Sequence, residues 1–321
     1  MPLTEKEQSH MRDTIRNLKE QMGQVYVGQE ELVRGILAAL FGGGHALIEG
    51  VPGLGKTLLV RTLGSLLGCD FNRIQFTPDL MPSDITGSHI FDQKDQKFVF
   101  YRGPVFTNLL LADEINRAPA KTHSALLEIM QESRITVDNT TFTVDEPFFV
   151  MATQNPVESE GTYNLPEAQL DRFLVKLYID YPGENEESSI YSRHAGSGEP
   201  EPEKLKAVMN AKGVREVIAL CEKVTLSESI IEYVTRLVRE SRRRLEVQLG
   251  CSPRAGIALI RTSRVLALMD GRDYVIADDI KEMAPACFRH RLLLTPEAEV
   301  EGIKPDDVVN SLIESVEVPG T

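Results

Sequence analysis

Short apolar runs alternate with amphipathic segments through the first 180 residues of the chain. Three apolar runs have the length and composition of buried parallel strands, and they lie at residues 45–50, 108–114 and 148–156. Segments predicted as helices surround these runs: a polar one at residues 5–22, and others at residues 29–41, 57–67 and 122–132. Strands that alternate with helices predict an α/β fold, in which helices cover a largely parallel sheet.

Two more polar segments interrupt this alternation. Residues 89–100 and 134–144 have the pattern of β-hairpins, and the second is expected to turn at Asp138-Asn139. Hairpins need no crossover helix, so both segments fit as insertions into a parallel α/β layer.

The composition changes after residue 177. A stretch rich in Gly, Pro, Ser and Glu follows, and residues 184–204 are expected to form a connection. There is little β signal beyond it, and helices are predicted at residues 205–222, 227–247, 253–269 and 277–288. With a boundary near residue 182, the sequence predicts an α/β domain at residues 1–181, then a connection and an α-helical domain at residues 182–321.

The composition narrows the class of protein. The chain has 321 residues, of which 42% are hydrophobic, so it has ample material for a packed core and is not a mostly disordered chain. Its 35 basic and 48 acidic side chains give a net charge of −13. This charge argues against a broad basic face for duplex DNA and leaves room for a local basic groove.

The cysteines and the apolar runs indicate the compartment. Four cysteines lie far apart without a CxxC pair, which favours reduced thiols over a disulfide framework. The first twenty residues lack the apolar core of a signal peptide, and no run approaches 18 uninterrupted apolar residues. We therefore expect a cytoplasmic protein with no membrane span.

The most specific motif is GVPGLGKT at residues 50–57, which fits the phosphate-loop pattern G-x-x-x-x-G-K-[ST]. It lies between a predicted strand and a predicted helix, the context in which backbone N–H groups point at phosphate oxygens. Lys56 is expected to reach the β- and γ-phosphates, and the Thr57 hydroxyl to ligate Mg²⁺. The predicted nucleotide-binding residues of this loop are Gly50, Val51, Pro52, Gly53, Leu54, Gly55, Lys56, Thr57 and Leu58.

Polar residues at the ends of two later strands complete the predicted phosphate site. Asp113 and Glu114 end the run NLLLADE, where Asp113 is expected to hold Mg²⁺ and Glu114 to orient or deprotonate the attacking water. Asn155 follows the run at 148–156, and its amide is placed to contact the γ-phosphate or the water. In an open α/β sheet the carboxyl ends of the strands meet at one edge, so we expect these three residues near the loop.

Two arginines are candidates for contacting the transferred phosphate. Arg172 lies in LPEAQLDRF, and its guanidinium is of the type that stabilises charge on phosphoryl oxygens, within one chain or from a neighbouring subunit. Arg254 follows Ser252 and Pro253 in the first turn of a predicted helix, where a cation opposes the helix dipole. That unfavourable position favours a role in binding an anion.

Together these segments resemble the MoxR family of AAA+ ATPases. The matching segments are VGQEE (27–31), GGGHALIEGVPGLGKT (42–57), LLADEINRAPAKT (110–122), MQESRITVD (130–138), ATQNPVESEGTYNLPEAQLDRF (152–173) and SPRA (252–255). They cover nearly all of residues 25–180, far more than a phosphate loop alone. The resemblance implies an AAA+ P-loop NTPase fold, with a parallel-sheet αβα domain followed by a small all-α lid domain.

The resemblance also implies roles for individual residues. Asn155 matches the sensor 1 residue, Arg172 the arginine finger and Arg254 the sensor 2 arginine. The segment that lines the adenine pocket in AAA+ proteins is matched by Val27, Gly28 and Gln29. The two predicted hairpins match the helix 2 insert and the pre-sensor 1 hairpin of the MoxR and helicase-like branch.

For the whole protein, the resemblance implies a ring, expected to be a hexamer, with nucleotide between subunits. Arg117 and Arg134 are further candidates for the residue that a subunit offers to its neighbour. Members of the family act like chaperones on client complexes, and their partners often carry von Willebrand factor A domains.

The predicted activity is hydrolysis of ATP to ADP and phosphate with Mg²⁺, used to remodel or activate protein partners. One alternative is a nucleic-acid motor of the minichromosome-maintenance type, which the hairpin tip Asp138-Asn139-Thr140 disfavours because it carries no basic residue. Another is a scaffold whose assembly is switched by ATP, with hydrolysis serving to reset it. Strong nucleic-acid binding is not expected.

Overall fold

The computed structural model describes residues 3–51, 53–156, 163, 165–197 and 201–320. The strands are β1 (Ala46–Glu49), β2 (Phe71–Gln75), β3 (Gly87–Asp92), β4 (Lys97–Arg102), β5 (Leu109–Asp113), β6 (Arg134–Val137), β7 (Thr140–Thr143), β8 (Phe149–Gln154), β9 (Val175–Tyr178), β10 (Val247–Leu249) and β11 (Leu293–Leu294). The α-helices are α1 (Glu5–Val25), α2 (Glu30–Phe41), α3 (Lys56–Leu67), α4 (Pro82–Thr86), α5 (Ala120–Glu132), α6 (Glu167–Leu170), α7 (Glu184–Ser197), α8 (Ala211–Glu222), α9 (Glu228–Ser241), α10 (Pro253–Met269), α11 (Ala277–Phe288), α12 (Pro296–Val300) and α13 (Pro305–Ser315).

The main sheet of the described chain has five parallel strands in the order β2-β5-β8-β1-β9. Successive side chains of a strand point to opposite faces, and the burial follows that rule. Ala46 and Ile48 pack into the core that includes α2 and α3, whereas Leu47 between them packs into a second core beside α5. The predicted α/β fold with a largely parallel sheet is confirmed.

The two inserted hairpins form as the sequence predicts. β3 pairs with β4 and β6 pairs with β7, each pair antiparallel. Asp138 and Asn139 both have positive φ, 47° and 66°, as a two-residue turn between twisted strands requires. The rings of Phe100 and Phe142 stack with their centroids 4.1 Å apart, so the hairpins support each other.

The rest of the chain is mostly helical, with four corrections to the sequence prediction. The connection expected at 184–204 contains helix α7, and the helix expected at 205–222 begins at Ala211, because the Asn210 side chain accepts a hydrogen bond from the Gly213 N–H at 2.9 Å and caps it there. The helix expected at 227–247 ends at Ser241. A short antiparallel pair, β10 with β11, adds β structure where little was expected.

Ion pairs join the helical part to the α/β layer. Arg34 on α2 contacts Asp270 just beyond α10 at 3.2 Å and Glu282 on α11 at 2.5 Å. These contacts add to the packing of α2 against α10, which belongs to the larger apolar core. Among the residues that the structure describes, no helix is long and apolar enough to cross a membrane.

Candidate active site

The glycine-rich loop leads from β1 into helix α3, as the motif requires. Gly53 and Gly55 have φ of 87° and 73°, a left-handed backbone that side chains rarely adopt. A Cβ at Gly50 would lie 2.4 Å from the carbonyl oxygen of Ile179, so this position has no room for a side chain. Val51 continues the loop, and Pro52 lies outside the described residues.

A cavity of about 250 Å³, here called the phosphate cavity, opens between this loop and the carboxyl ends of β2, β5 and β8. Its polar lining residues include the expected loop, carboxylate and amide side chains: Lys56, Thr57, Asp113, Glu114 and Asn155. Two further side chains, Arg73 and Gln75, line it from the neighbouring strand β2. The structure therefore brings together the phosphate-site residues that the sequence placed on three separate segments.

Lys56 supplies the cation beside the loop. Its ammonium donates a hydrogen bond to the carbonyl oxygen of Gly50 at 2.9 Å, and 9% of the residue is exposed. Burial lowers the pKa of Lys56, whereas the charges of Asp113 and Glu114 act in the opposite direction. The ammonium is thus held close to the loop whose N–H groups are expected to bind phosphate.

Thr153 on β8 organises the two carboxylates. Its hydroxyl donates to Asp113 Oδ1 at 2.6 Å and accepts a hydrogen bond from the backbone N–H of Glu114 at 2.9 Å. Glu114 itself has a left-handed backbone, with φ of 55°. The strained residue and its neighbour are therefore held by one buried side chain, which the sequence analysis did not single out.

The polar residues of β2 contact the same carboxylates. Arg73 donates to Asp113 Oδ2, and Gln75 donates to Glu114 Oε2 at 2.6 Å. Neither residue was predicted from the sequence, because FNRIQ has one buried position, Ile74, and no clear strand pattern. Their alternate spacing, once β2 is known, places both on the face that looks into the cavity.

A second cavity, of about 390 Å³, adjoins the first and shares Gly53 and Gly55 with it. Its lining is mainly apolar, which suits a heteroaromatic base. Six of the expected nucleotide-binding residues line it: Val27, Gln29, Gly53, Leu54, Gly55 and Leu58. Gly28, in contrast, lies against Glu186 and faces a different cavity.

This second cavity also contains residues that the sequence analysis missed. Tyr26 lines one side and donates a hydrogen bond to the carbonyl oxygen of Leu54 at 3.3 Å. Burial raises the pKa of Tyr26 to about 12, with a further contribution from the charge of Glu186. Helix α7 closes the other side with Ile190 and Tyr191, from a segment that was expected to be a connection.

Arg172 and Arg254 lie together, away from the phosphate cavity. Both line a cavity of about 310 Å³ that also includes His45, the residue before β1. Arg172 donates to the carbonyl oxygen of Leu127 at 2.8 Å, and Arg254 lies 3.9 Å from Asp171. The structure thus pairs the two arginines but places them at the amino end of β1, whereas the glycine-rich loop follows its carboxyl end.

The two other arginine candidates differ in position. Arg117 contacts Glu114 Oε2 at 3.2 Å, so it belongs to the surroundings of the phosphate cavity of its own chain. Arg134 pairs with Glu132 at 2.8 Å at the start of β6.

The donors in the phosphate cavity fit Mg²⁺. Thr57 in the first turn of α3 and Asp113 at the end of β5 both line the cavity and offer hard oxygen ligands beside the loop expected to hold phosphates. Mg²⁺ is usually held by one or two carboxylates together with substrate phosphates and water. The described part of the chain has no cluster of three or more His, Cys, Asp or Glu side chains placed to hold a metal by itself.

The fold and the phosphate cavity define a P-loop nucleoside triphosphatase. Comparison with known proteins narrows the class: residues 45–175 match the family described as "ATPase family associated with various cellular activities (AAA)", and residues 239–312 match the AAA lid domain. A solved structure of a candidate ATPase from Cytophaga hutchinsonii has a TM-score of 0.92 and 41% identity, covering 98% of each chain.

Two curated relatives extend over nearly the whole chain. The uncharacterized protein YeaC of Bacillus subtilis is 46% identical over 97% of each chain. Chaperone MoxR1 of Mycobacterium tuberculosis is 44% identical over 95% of this chain and 82% of its own length. The chain therefore belongs to the MoxR family of AAA+ ATPases, and it is an ATPase with a parallel α/β domain followed by a helical lid domain.

Proposed function

We propose that the chain hydrolyses ATP to ADP and phosphate with Mg²⁺ and uses the energy to remodel or activate protein partners. The observation that carries the proposal is the pair of adjoining cavities, one polar beside the glycine-rich loop and one apolar, joined at Gly53 and Gly55. The first suits a triphosphate and the second an adenine. We also propose that the lid and its connection begin near residue 182.

The five residues of the polar cavity that were expected from the sequence have these roles in the proposal. Lys56 neutralises charge on the β- and γ-phosphates, while Thr57 and Asp113 hold Mg²⁺, which neutralises charge on the same oxygens when bound. Glu114 orients the attacking water and accepts its proton. The amide of Asn155 positions the water or the γ-phosphate for in-line attack.

The position of the paired arginines supports a role at the nucleotide site of a neighbouring subunit. The Leu174 N–H donates to the carbonyl oxygen of His45 at 2.8 Å, which fixes Arg172 near the amino end of β1. Gly50 lies five positions after His45, so the arginine lies roughly 16 Å along the strand from the chain's own phosphate loop. We propose a ring, taken to be a hexamer, in which Arg172 and Arg254 contact nucleotide held by the adjacent copy.

The proposed clients are proteins. The name of the relative MoxR1 describes it as a chaperone. Because partners in the MoxR family often carry von Willebrand factor A domains, proteins with such domains are the first clients to test. The net charge of −13 and the acidic hairpin tip at Asp138 disfavour a nucleic-acid motor. The free thiols of all four cysteines, which lie within the described ranges, agree with a cytoplasmic location.

Mixing two inactive variants tests the site and the assembly together. Lys56→Ala should weaken ATP binding, whereas Arg172→Ala should bind ATP nearly normally but hydrolyse it about 10³–10⁵-fold more slowly. Mixed rings contain interfaces with an intact pocket facing an intact arginine, so mixing should restore part of the turnover. If mass spectrometry shows mixed rings but phosphate release stays absent, Arg172 does not act between subunits, and Arg117 and Arg134 are tested next.

Client remodelling needs a separate experiment. Tagged Glu114→Gln protein in ATP should retain partners on a stalled assembly, while tagged Lys56→Ala protein, which lacks bound ATP, serves as the matched control. Partners enriched by the first variant and absent from the second are candidate clients. Equal recovery with both variants would count against ATP-dependent client binding.

A further inference from the structure

The carboxylate assigned to the metal already has a cation beside it. Arg73 donates from Nη2 to Asp113 Oδ2 at 2.6 Å and from Nε to the same oxygen at 3.2 Å. The other oxygen, Oδ1, accepts the hydrogen bond from Thr153. Both oxygens of Asp113 are therefore engaged by side chains of this chain.

The sheet explains why Arg73 reaches this carboxylate. β2 runs parallel to β5 in a register that places Arg73 beside Leu111 and Gln75 beside Asp113. The guanidinium extends forward along its strand, so it also donates to Gln75 Oε1 at 2.8 Å. That bond turns the Gln75 amino group towards Glu114, so one arginine contacts the metal carboxylate and fixes the group that holds the other carboxylate.

We propose that Arg73 is a resident counter-cation of the metal site, which pairs with Asp113 before nucleotide binds and exchanges that carboxylate for Mg²⁺. The proposal rests on the role given to Asp113 in the proposed function. Oδ2 accepts two guanidinium N–H groups, and two cations at one carboxylate repel each other, so Mg²⁺ and Arg73 compete for it. The competition sets how strongly nucleotide binding depends on Mg²⁺.

The exposure of the two side chains permits the exchange. The Arg73 side chain is 45% exposed and β2 is an edge strand of the sheet, whereas the Asp113 side chain is 15% exposed and held by Thr153. Arg73 is thus the partner that moves. Because it lines the cavity beside Lys56, its released charge stays close to the expected position of the phosphates.

Two opposite effects of removing Arg73 follow. The substitution Arg73→Gln removes one cation from the cavity. In the absence of Mg²⁺, this variant should therefore bind a non-hydrolysable ATP analogue about tenfold more weakly than wild type, the effect of one charge-assisted hydrogen bond. Because Arg73 no longer competes with Mg²⁺ for Asp113, the same variant should reach half-maximal binding of the analogue at a Mg²⁺ concentration about tenfold lower. Loss of a residue with only a structural role would change the affinity for the analogue by the same factor with and without Mg²⁺.

The test measures equilibrium binding of a fluorescent, non-hydrolysable ATP analogue in EDTA and across a Mg²⁺ titration. Arg61→Gln is the matched control, because the Arg61 side chain is also 45% exposed and paired with a carboxylate, that of Glu203, outside the cavity. Arg73→Lys keeps the charge but loses the two-pronged contact, so it should fall between wild type and Arg73→Gln. Thermal unfolding without nucleotide reports whether each variant is folded; if Arg73→Gln is not, Arg73→Lys provides the comparison.

The outcomes separate this proposal from the proposed function. An unchanged Mg²⁺ dependence in folded Arg73→Gln overturns the counter-cation, and so does a requirement for more Mg²⁺, which would mean that Arg73 prepares Asp113 for the metal. Asp113→Asn is the second reference. If that variant keeps the wild-type Mg²⁺ dependence, the error lies in the assignment of Asp113 as a metal ligand.

Discussion

Replacing Thr153 with valine isolates the hydrogen bonds that organise the two carboxylates. Thr153 is completely buried, and valine has nearly the same shape, so the substitution leaves no cavity. It removes the bond donated to Asp113 and leaves the Glu114 N–H without its acceptor. A bond to a charged group is worth about 1.5–3 kcal/mol, and an unsatisfied buried N–H costs about 1–3 kcal/mol.

We therefore expect Thr153→Val to lower the free energy of unfolding by about 3 kcal/mol. With a urea slope of about 3 kcal/mol/M, the denaturation midpoint of the nucleotide-free protein should fall by roughly 1 M. Turnover should fall at least about tenfold even where the protein is folded, because Asp113 and Glu114 lose their common support. Urea denaturation followed by circular dichroism and steady-state phosphate release measure the two effects.

Thr153→Ser is the control, because it keeps the hydroxyl and loses one buried methyl group. It should lose only about 1 kcal/mol of stability, the cost of a small cavity, and should retain most of its turnover. A Thr153→Val protein with the stability and turnover of wild type would show that the hydroxyl does not support the carboxylates.

Three further predictions concern the site, acid stability and partners. Glu114→Gln should bind ATP with near wild-type affinity in calorimetry and release phosphate very slowly, and rapid turnover would refute its role with water. Burial lowers the pKa of His45 to about 4, below the unfolded value of about 6.5, so stability is complete above pH 6.5 and about 3 kcal/mol is lost as the pH falls towards 4. Urea midpoints should therefore fall over that range, and less steeply in a His45→Gln variant. Filter binding near physiological salt should show weak nucleic-acid binding, and submicromolar affinity with DNA-stimulated turnover would favour the motor alternative.

The residues proposed to bind phosphate and Mg²⁺ could be located from the sequence because they carry strong local signals. The pattern at 50–57 fixes a loop between a strand and a helix, and apolar strands before Glu114 and Asn155 place these residues at the same sheet edge. Each signal lies within a few consecutive residues. The structure accordingly confirms that these segments meet at one cavity.

The residues that complete the site lack such signals. Arg73 and Gln75 contact the carboxylates because β2 pairs with β5, and the order of strands in a sheet cannot be predicted from the local sequence. Thr153 cannot be distinguished in the sequence from other residues of its strand, because its role depends on its contacts with Asp113 and Glu114. Helix α7 has three acidic residues in its first turn and little apolar periodicity, so its side of the apolar cavity was expected to be a connection.

The phosphate cavity and the arginine pair lie at opposite ends of β1, so the assembly proposed above has a direction. If the arginines of one copy act on the nucleotide of the next, two different surfaces meet, and the contact between copies is head to tail. A twofold dimer joins identical surfaces and would supply neither nucleotide site with its neighbour's arginines. In an open stack of copies, the nucleotide site of one terminal copy would have no neighbour to supply the arginines. In a closed ring, every nucleotide site would have such a neighbour.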